Sequence, residues 1–224
     1  MYTLKPIFKA MHKSGIIVDI ACGVGAPARY LKGYYTDYIG IDYSEEMVKA
    51  AGIFNKGIKN ARFVCSNIKD IDLPYIKADI IMAIGAFHHM TELDQVFNSL
   101  KSIAKPGANL IAIEPQKANP LVQMMRWLRG KIDKSYSADQ YYFSRTELHK
   151  ILNDNGMCNI ETEYQGYLTP PLAQVILNPQ FIFYPLALLF VAIDKCLDRW
   201  FPGFLKFLSW NIVIRAKFPK SDKN

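Results

Sequence analysis

Short apolar runs alternate with polar stretches of helical length through the first half of the chain. This alternation is typical of βαβ units, in which parallel strands are joined by helices that cover one sheet. The runs that predict strands are "IIVDIA" (16–21), "YIGID" (38–42), "ARFVCSN" (61–67), "ADIIMAI" (78–84) and "NLIAIEP" (109–115). We therefore predict an α/β fold built on a doubly wound, mostly parallel sheet.

Local capping signals indicate where several helices begin and end. Ser44 stands before two glutamates, and a hydroxyl N-cap followed by first-turn carboxylates predicts a helix start. Thr91 predicts a second start in the same way, and the tripeptide at 105–107, Lys-Pro-Gly, predicts the end of that helix. Ser144 and Glu147 have the spacing of a capping box and predict a third start.

The pattern changes after the fifth predicted strand. "MCNIETEYQ" (157–165) and "NIVIRAKF" (211–218) predict two late strands that pair antiparallel. About 45 residues separate them, whereas a hairpin loop normally has two to five. We predict one domain over residues 1–224, with a seven-stranded sheet whose last strand is antiparallel and with helical insertions at 116–143 and 167–210.

The composition is consistent with a single domain and indicates the cellular environment of the protein. At 224 residues, half of them hydrophobic, the chain is large enough to bury a substantial core. The four cysteines are far apart and form no C-x-x-C pair, so the sequence predicts neither a disulfide framework nor a metal site. No apolar core of signal length precedes the first predicted strand, and we expect a cytoplasmic protein without a cleaved targeting peptide.

The net charge of +7 is concentrated in the second half of the chain. Lys and Arg number 13 against 11 Asp and Glu up to Pro115, and 14 against 9 from Gln116 onward. The surplus is interspersed with Trp and Phe, a combination that indicates an anionic partner surface. On charge alone, nucleic acid and membrane lipid both fit this feature.

The stretch "VDIACGVGAPARYL" contains the first candidate site, because a predicted strand breaks there into a glycine turn. Gly23-x-Gly25-x-x-Ala28 satisfies the loose dinucleotide fingerprint, so the glycines alone do not select a ligand. Asp19 lies four residues before Gly23, where a carboxylate would oppose a diphosphate but suit the ammonium group of S-adenosylmethionine. Asp42 ends the second predicted strand and can accept from both ribose hydroxyls, which fits NAD equally well.

Five segments together resemble the motifs of class I S-adenosylmethionine-dependent methyltransferases, in the order and spacing of that family. "VDIACGVG" resembles the first motif, and "GIDYSEEMVKAA" resembles the acidic ribose motif. "FVCSNIKDIDLP" resembles the adenine-edge segment, while "ADIIMAIGAFHHM" and "SIAKPGANLIAIEP" resemble the fourth and fifth strands with their flanks. The resemblance covers most of residues 14–165. It implies a Rossmann-like fold and methyl transfer, with S-adenosylmethionine as cofactor, S-adenosylhomocysteine as product and no metal.

The resemblance also implies which residues bind the cofactor. Asp19 lies at the methionine end, Asp42 binds the ribose, and Asn67 with Ile68 reads the adenine edge. The family often has aspartate where this chain has Asn67, although an amide can still accept and donate hydrogen bonds. The full implied set is Asp19, Ala21, Gly23, Gly25, Asp42, Tyr43, Met47, Asn67, Ile68 and Ala83.

His88 and His89 follow the fourth predicted strand, beside the expected transfer site. A histidine titrates near neutrality, so either one could remove a proton from the acceptor as a general base. The alternative is that the pair shapes or packs against the cofactor site, because methyl transfer relies mainly on positioning an already activated sulfonium. For the whole chain, a nicotinamide-dependent oxidoreductase and a cofactor-binding scaffold without turnover remain the alternatives.

Acceptor specificity is expected from the segments outside the cofactor scaffold. "NPLVQMMRWLRGKIDK" (119–134) is a basic amphipathic segment, which more often covers a core than contacts a membrane. We predict Tyr136, Tyr141 and Tyr142 as walls of the acceptor pocket. Nucleic acid is not expected as the substrate, because the chain lacks the Asp/Asn-Pro-Pro-aromatic tetrapeptide of amino-methylating enzymes and has no nucleophilic cysteine near Glu114.

The second insertion contains the most apolar run of the chain, "FIFYPLALLFVAI" (181–193). This run is too short to span a bilayer, which takes about 20 residues. Together with a following polar face that includes Asp194, it predicts a helix at a lipid interface or over a lipophilic pocket, anchored by Trp200, Lys206 and Trp210. A buried domain or dimer surface is the alternative. We expect a small-molecule or lipophilic acceptor and peripheral membrane contact.

Overall fold

The computed structural model describes residues 15–71, 73, 75–132, 141–170, 180–200 and 206–220, together with Leu4 and Ile7. Seven strands within these residues form one sheet. They are β1 (Ile16–Ile20), β2 (Asp37–Asp42), β3 (Ala61–Cys65), β4 (Ala78–Ile84), β5 (Ala104–Pro115), β6 (Cys158–Gln165) and β7 (Asn211–Lys217). Their order across the sheet is β3-β2-β1-β4-β5-β7-β6.

The first five strands pair in parallel, and β7 runs antiparallel between β5 and β6. The register of β5 against β7 is continuous from Asn109 opposite Lys217 to Pro115 opposite Asn211. The predicted doubly wound, seven-stranded sheet with an antiparallel last strand is confirmed. Strand order reverses direction between β1 and β4, and ligands of such sheets bind outside the carboxyl ends at this switch point.

Polar side chains cap the starts of some of the α-helices in the described part of the chain. The helices in that part are α1 (Ala26–Tyr30), α2 (Glu45–Phe54), α3 (Leu93–Ile103), α4 (Pro120–Ile132), α5 (Arg145–Asp154) and α6 (Gln180–Trp200). The Ser44 hydroxyl accepts from the Met47 amide at 3.3 Å, as predicted. Ser144 and Glu147 form the predicted capping box, and the bond to Ser144 is the main reason that the pKa of Glu147 falls to about 2.

Two predicted boundaries of α3 are wrong. Glu92, not Thr91, occupies the N-cap position, and it has a left-handed backbone with φ of 55°. The Thr91 hydroxyl instead accepts from the Lys69 ammonium at 3.1 Å. The helix ends at Ile103, and residues 105–107 lie inside β5, where the pairing with β4 shifts register. Such an irregularity tolerates proline and glycine within a strand.

Alternation along the strands gives the sheet two buried faces. Val18 and Ile20 of β1 belong to one apolar cluster, and Ile17 between them belongs to the other. Residues of α3 and α5, such as Phe97 and Leu148, complete the first cluster, while α1 contributes to the second. The core thereby fixes the sheet and leaves its carboxyl edge to form the site.

The ends of β5, β6 and β7 lie side by side at that same edge. The Gln116 amide donates to the Trp210 carbonyl at 2.8 Å, and the Trp210 amide donates to the Gly166 carbonyl at 2.6 Å. Trp210 is buried, because it packs where β7 begins, so its prediction as an interfacial anchor is wrong. Asp194 of α6 is also fully buried rather than on a solvated face.

Helix α6 has 21 residues and contains the apolar run of the second insertion together with Pro185. Among the helices that the structure describes, none is long and apolar enough to cross a membrane.

Candidate functional site

A cavity of about 440 Å³ opens at the carboxyl ends of the first four strands. Its volume falls within the range of about 300–1,000 Å³ typical of small-ligand pockets. Predicted cofactor residues contribute to its wall from three strand ends. The lining residues are Ala21, Ile41, Asp42, Tyr43, Cys65, Ser66, Asn67, Ile68, Lys69, Ala86, His89, Met90 and Thr91.

The other predicted cofactor residues lie outside this wall. Asp19 is buried behind it, Ala83 is fully buried in the core of β4, and Met47 is partly exposed on α2. Gly23 and Gly25 form the turn that follows β1 and have left-handed backbones, with φ of 51° and 63°. The structure therefore places half of the predicted set around the cavity and the other half outside its wall.

The two glycines of the turn serve different purposes. A Cβ at Gly23 would meet no atom within 4 Å, so this position faces open space and leaves its backbone accessible. A Cβ at Gly25 would collide with the Phe63 ring and approach the Asn55 amide nitrogen to 3.0 Å. Gly25 is thus required by close packing of the turn against β3 and α2.

Asn55 holds the glycine turn in place, a role that the sequence did not reveal. Its buried side-chain amide donates to the carbonyls of Val24 (3.1 Å), Gly25 (3.2 Å) and Ala51 (3.0 Å). The partners lie up to 31 residues away in sequence, so no local motif marks this residue.

Asp42 connects two loops at the floor of the cavity. One carboxylate oxygen accepts from the Gly23 amide at 2.8 Å, and the other accepts from the Ser44 amide at 3.0 Å. Each oxygen keeps a second lone-pair site for a ligand, because an ionised carboxylate has about four acceptor sites. This position is compatible with the predicted ribose contact. Asp42 also stabilises the two loops through these hydrogen bonds.

Asp19 sits behind the glycine turn and is almost completely buried. The Tyr38 hydroxyl donates to its carboxyl group. Burial raises the pKa of Asp19 from 3.8 to about 7; the Tyr38 bond opposes this rise, and the charge of Asp42 adds to it. The predicted contact with an ammonium group would favour the ionised form, which burial alone disfavours.

This raised pKa gives a testable pH dependence of stability. Between about pH 4 and 7 the folded protein retains a proton on Asp19 that the unfolded chain releases. The free energy of unfolding should therefore decrease as pH rises through that window. Asp19→Asn removes the titration with little change of shape, so urea unfolding across this range should show a weaker decrease in the variant. Equal slopes in the two proteins would contradict burial as the cause.

Asn67 follows β3 and begins a short 3-10 turn. Its side-chain oxygen accepts from the Lys69 amide at 3.1 Å, so the turn is capped locally. The Lys69 ammonium reaches across the cavity to Thr91 and forms an ion pair with Glu92. Tyr43 is strongly exposed at the opposite rim. These side chains give the cavity a polar entrance and an aromatic edge.

Glu114 organises the loop that carries the two histidines. Its carboxylate, at the end of β5 and only 1% exposed, accepts from the backbone amides of Ala86 (3.0 Å) and Phe87 (2.8 Å). The other oxygen lies 2.8 Å from Nδ1 of His88 and also contacts the His88 amide at 3.4 Å. Because a carboxylate only accepts hydrogen bonds, Nδ1 carries the proton, and Nε2 of His88 is the basic nitrogen.

The two histidines occupy different surroundings. His88 is buried and meets the Tyr142 ring edge-on, with ring centroids 5.4 Å apart. His89 lines the cavity, and its ring centroid lies 4.0 Å from that of His88. Burial lowers the pKa of His89, and the neighbouring His88 lowers it further. His88 is thus oriented by a carboxylate, whereas His89 forms part of the cavity wall.

Two of the three predicted acceptor tyrosines lie beside His88. The Tyr141 amide donates to the His88 carbonyl at 3.2 Å, which fixes the start of this segment against the histidine loop. The Tyr141 hydroxyl contacts Glu147, and the Lys117 ammonium lies 3.2 Å from it. Tyr136 lies outside the described residues. Among the described residues, no group of three or more His, Cys, Asp and Glu side chains could hold a metal ion.

Comparison with known proteins shows what the chain is similar to. A family model described as a methyltransferase domain matches residues 18–112. An uncharacterized methyltransferase of Bacillus subtilis, YcgJ, is 27% identical over 100 residues, covering 44% of this chain and 40% of the relative. The ubiquinone biosynthesis O-methyltransferase of a Bradyrhizobium species is 26% identical over 167 residues, covering 70% of this chain and 63% of that enzyme. The matches thus span less than two thirds of these relatives.

The fold agrees over almost the whole chain. The crystal structure of YcgJ has a TM-score of 0.67 at 18% identity and covers 98% of this chain and 99% of its own. The sheet order agrees with this fold. The glycine turn and the acidic end of β2 both lie within the residues that the family model matches. Residues 18–112 are thus similar to a methyltransferase domain, and the fold of the chain agrees with that of a methyltransferase structure.

Proposed function

We propose that the protein transfers a methyl group from S-adenosylmethionine to an oxygen or nitrogen of a small-molecule or lipid-linked acceptor. The observation that carries this proposal is the arrangement at the sheet edge: a 440 Å³ cavity floored by Asp42 adjoins a histidine oriented by Glu114. The residues present fit the cofactor, because the cavity combines carboxylate and amide groups with apolar walls. The Bradyrhizobium relative, by its name, methylates oxygen in ubiquinone biosynthesis.

Residues of the cavity are assigned to parts of the cofactor by their chemistry. Asp42 would accept from the ribose hydroxyls, and Tyr43 and Ile68 would flank the adenine. The amide nitrogen of Asn67 would meet the adenine edge, since its oxygen is already bonded to the Lys69 amide. The backbone of Gly23 would lie along the methionine end, where no side chain intervenes.

When bound, the cofactor supplies a methyl group on a sulfonium, which transfers to an acceptor lone pair while the sulfur retains the bonding electrons. The chain's own residues orient the acceptor and remove its proton. We assign proton removal to Nε2 of His88, because Glu114 fixes the opposite nitrogen as the donor. The segment with Tyr141 and Tyr142 lies on the acceptor side, and we place acceptor selection on segments 116–143 and 167–210.

Ligand-dependent thermal stability tests this function against the nicotinamide alternative. S-adenosylhomocysteine at about 100 times its Kd should stabilise the protein by about 2.7 kcal/mol and raise Tm, because it binds only the folded state. NAD and NADH should leave Tm unchanged at the same concentration. A shift with NADH and none with S-adenosylhomocysteine would overturn the proposal. Binding without turnover on any lipid or small-molecule extract would instead support a scaffold.

A further inference from the structure

Helix α4 presents its apolar side to solvent. Leu121, Met124, Met125 and Leu128 recur at the spacing of one helical face, and each is 41% to 51% exposed. Val122, on another side of the helix, is buried. The amphipathic pattern favours a helix that covers the core, whereas the structure leaves these four side chains about half exposed. The described residues therefore cover this apolar stripe only in part.

Helix α6 also differs from an ordinary surface helix, because apolar side chains are exposed and a charged one is buried. Tyr184, Leu188 and Leu189 are more than half exposed, whereas the charged Asp194 is fully buried. The Asp194 carboxylate accepts from three consecutive backbone amides, at residues 167–169, at 2.9–3.2 Å. One buried carboxylate thus fastens the helix to the end of β6 while its leucines face outward.

Buried side-chain amides join the start of α4 to the turn before β7. Gln116 donates from its side chain to the carbonyls of Lys206 (2.9 Å) and Ser209 (2.8 Å). Asn119 donates to the carbonyls of Leu208 (2.8 Å) and Ser209 (2.9 Å), and its oxygen accepts from the first turn of α4. The start of α4 is therefore fixed to the turn that precedes β7.

The described charged side chains that α4, α6 and residues 206–208 expose to solvent are all basic. The exposed charged side chains that the structure describes on α4, α6 and residues 206–208 are Lys131, Lys195, Arg199 and Lys206. The Lys131 ammonium lies 3.7 Å from the centroid of the Trp127 ring, and Arg199 lies 5.9 Å from that of Trp200. Aromatic rings beside basic groups, next to exposed leucine and methionine, are typical of helices at an anionic lipid interface.

We propose that α4, α6 and residues 206–208 form a docking surface for membranes that contain anionic lipid. We call it the lipid-docking surface. A second copy of the chain fits it less well, because a symmetric contact would bring basic groups against basic groups. The segments of this surface start from the same edge of the sheet that carries the cavity. Docking would therefore bring the site to acceptors held in a bilayer. This inference rests on the proposed function for that last step alone.

Vesicle flotation tests the docking surface directly. The intact protein should float with phosphatidylcholine vesicles that contain phosphatidylglycerol and much less with phosphatidylcholine alone. Met124→Ser combined with Leu128→Ser should lower partitioning by about tenfold or more through lost apolar burial. Lys131→Glu should lower it by at least about fivefold, since each basic group near an anionic surface contributes at that level.

Matched substitutions elsewhere provide the controls. Ile53→Ser and Lys56→Glu change exposed residues of the same kinds on and after α2 and should leave partitioning unchanged. Equal losses in these controls, or no flotation of the intact protein, would overturn the proposal. A dimer in light scattering that dissociates in the Met124/Leu128 variant would assign the surface to a second copy instead. S-adenosylhomocysteine binding, measured by calorimetry on the same variants, should not change, so a failure of the cofactor proposal is recognised separately.

Discussion

His88→Gln is expected to lower turnover by about 10²–10⁴-fold, the contribution typical of a positioned general base. Glutamine can still donate to Glu114 from its amide, so the loop should keep its geometry while the basic nitrogen is lost. Affinity for S-adenosylhomocysteine should stay the same, because His88 does not line the cavity. Initial rates with a methylated acceptor, together with calorimetry, measure both quantities.

His89→Gln is the matched control for this prediction. His89 lines the cavity wall, so its loss should affect cofactor affinity more than turnover. A loss of less than about tenfold in turnover for both variants would assign methyl transfer to positioning alone. A loss confined to His89→Gln would move the base to the second histidine.

Glu114 is a positioning residue, and Glu114→Gln separates its effect on His88 from a purely structural one. The amide nitrogen of glutamine cannot accept a hydrogen bond. At least one hydrogen bond between residue 114 and the histidine loop is therefore lost, and the melting temperature should fall. Beyond that, His88 would lose the acceptor that fixes its Nδ1 proton, so kcat should fall while the KM for S-adenosylmethionine stays the same. A lower melting temperature with an unchanged kcat would leave Glu114 with a structural role only.

Asp42→Ala is expected to weaken S-adenosylhomocysteine binding by about 1.5–3 kcal/mol, the scale for hydrogen bonds to a charged group. The loss has two sources, because the carboxylate would hold the ribose and already holds the amides of Gly23 and Ser44. Calorimetry gives the affinity, and unfolding without ligand gives the structural share. Unchanged affinity would remove Asp42 from the site.

Asp42→Asn and Asp70→Ala complete the series. The asparagine keeps one acceptor for a backbone amide and lacks the second, so its affinity should fall between those of wild type and Asp42→Ala. Asp70 lies two residues beyond the Asn67–Ile68 pair, is exposed and does not line the cavity, and its removal should leave binding unchanged. Together these variants distinguish loss of a ligand contact from general loss of negative charge near the cavity.

Features set by neighbours in sequence could be predicted from the sequence. The strands follow from runs of β-forming residues, and the Ser144–Glu147 capping box follows from a spacing of three residues. Asp42 was identifiable because it ends a strand just before a helix start. The resemblance to a known family supplied the assignment of the cofactor, which the glycines alone left open.

Features that depend on distant parts of the chain could not be predicted. Glu114 meets His88 across 26 residues, and Asn55 meets the glycine turn across 30 or 31. Periodicity showed that α4 is amphipathic but not which side faces the core, since both orientations have the same pattern. Trp210 was assigned to an interface by its residue type, although its place at the start of β7 buries it.

The bond of Lys69 to Thr91 and Glu92 has a kinetic consequence. Lys69 follows β3 and its partners follow β4, with β1 and β2 between them, and both Lys69 and Thr91 line the cavity, so we expect the link to cross its mouth. We expect a product that leaves on this side to wait until the link opens. The Lys69 side chain is 21% exposed and that of Glu92 is 58% exposed, and solvated ion pairs are worth about 0–1 kcal/mol, so opening should be frequent. Salt should accelerate product exchange by screening the pair, without altering the chemistry beneath it.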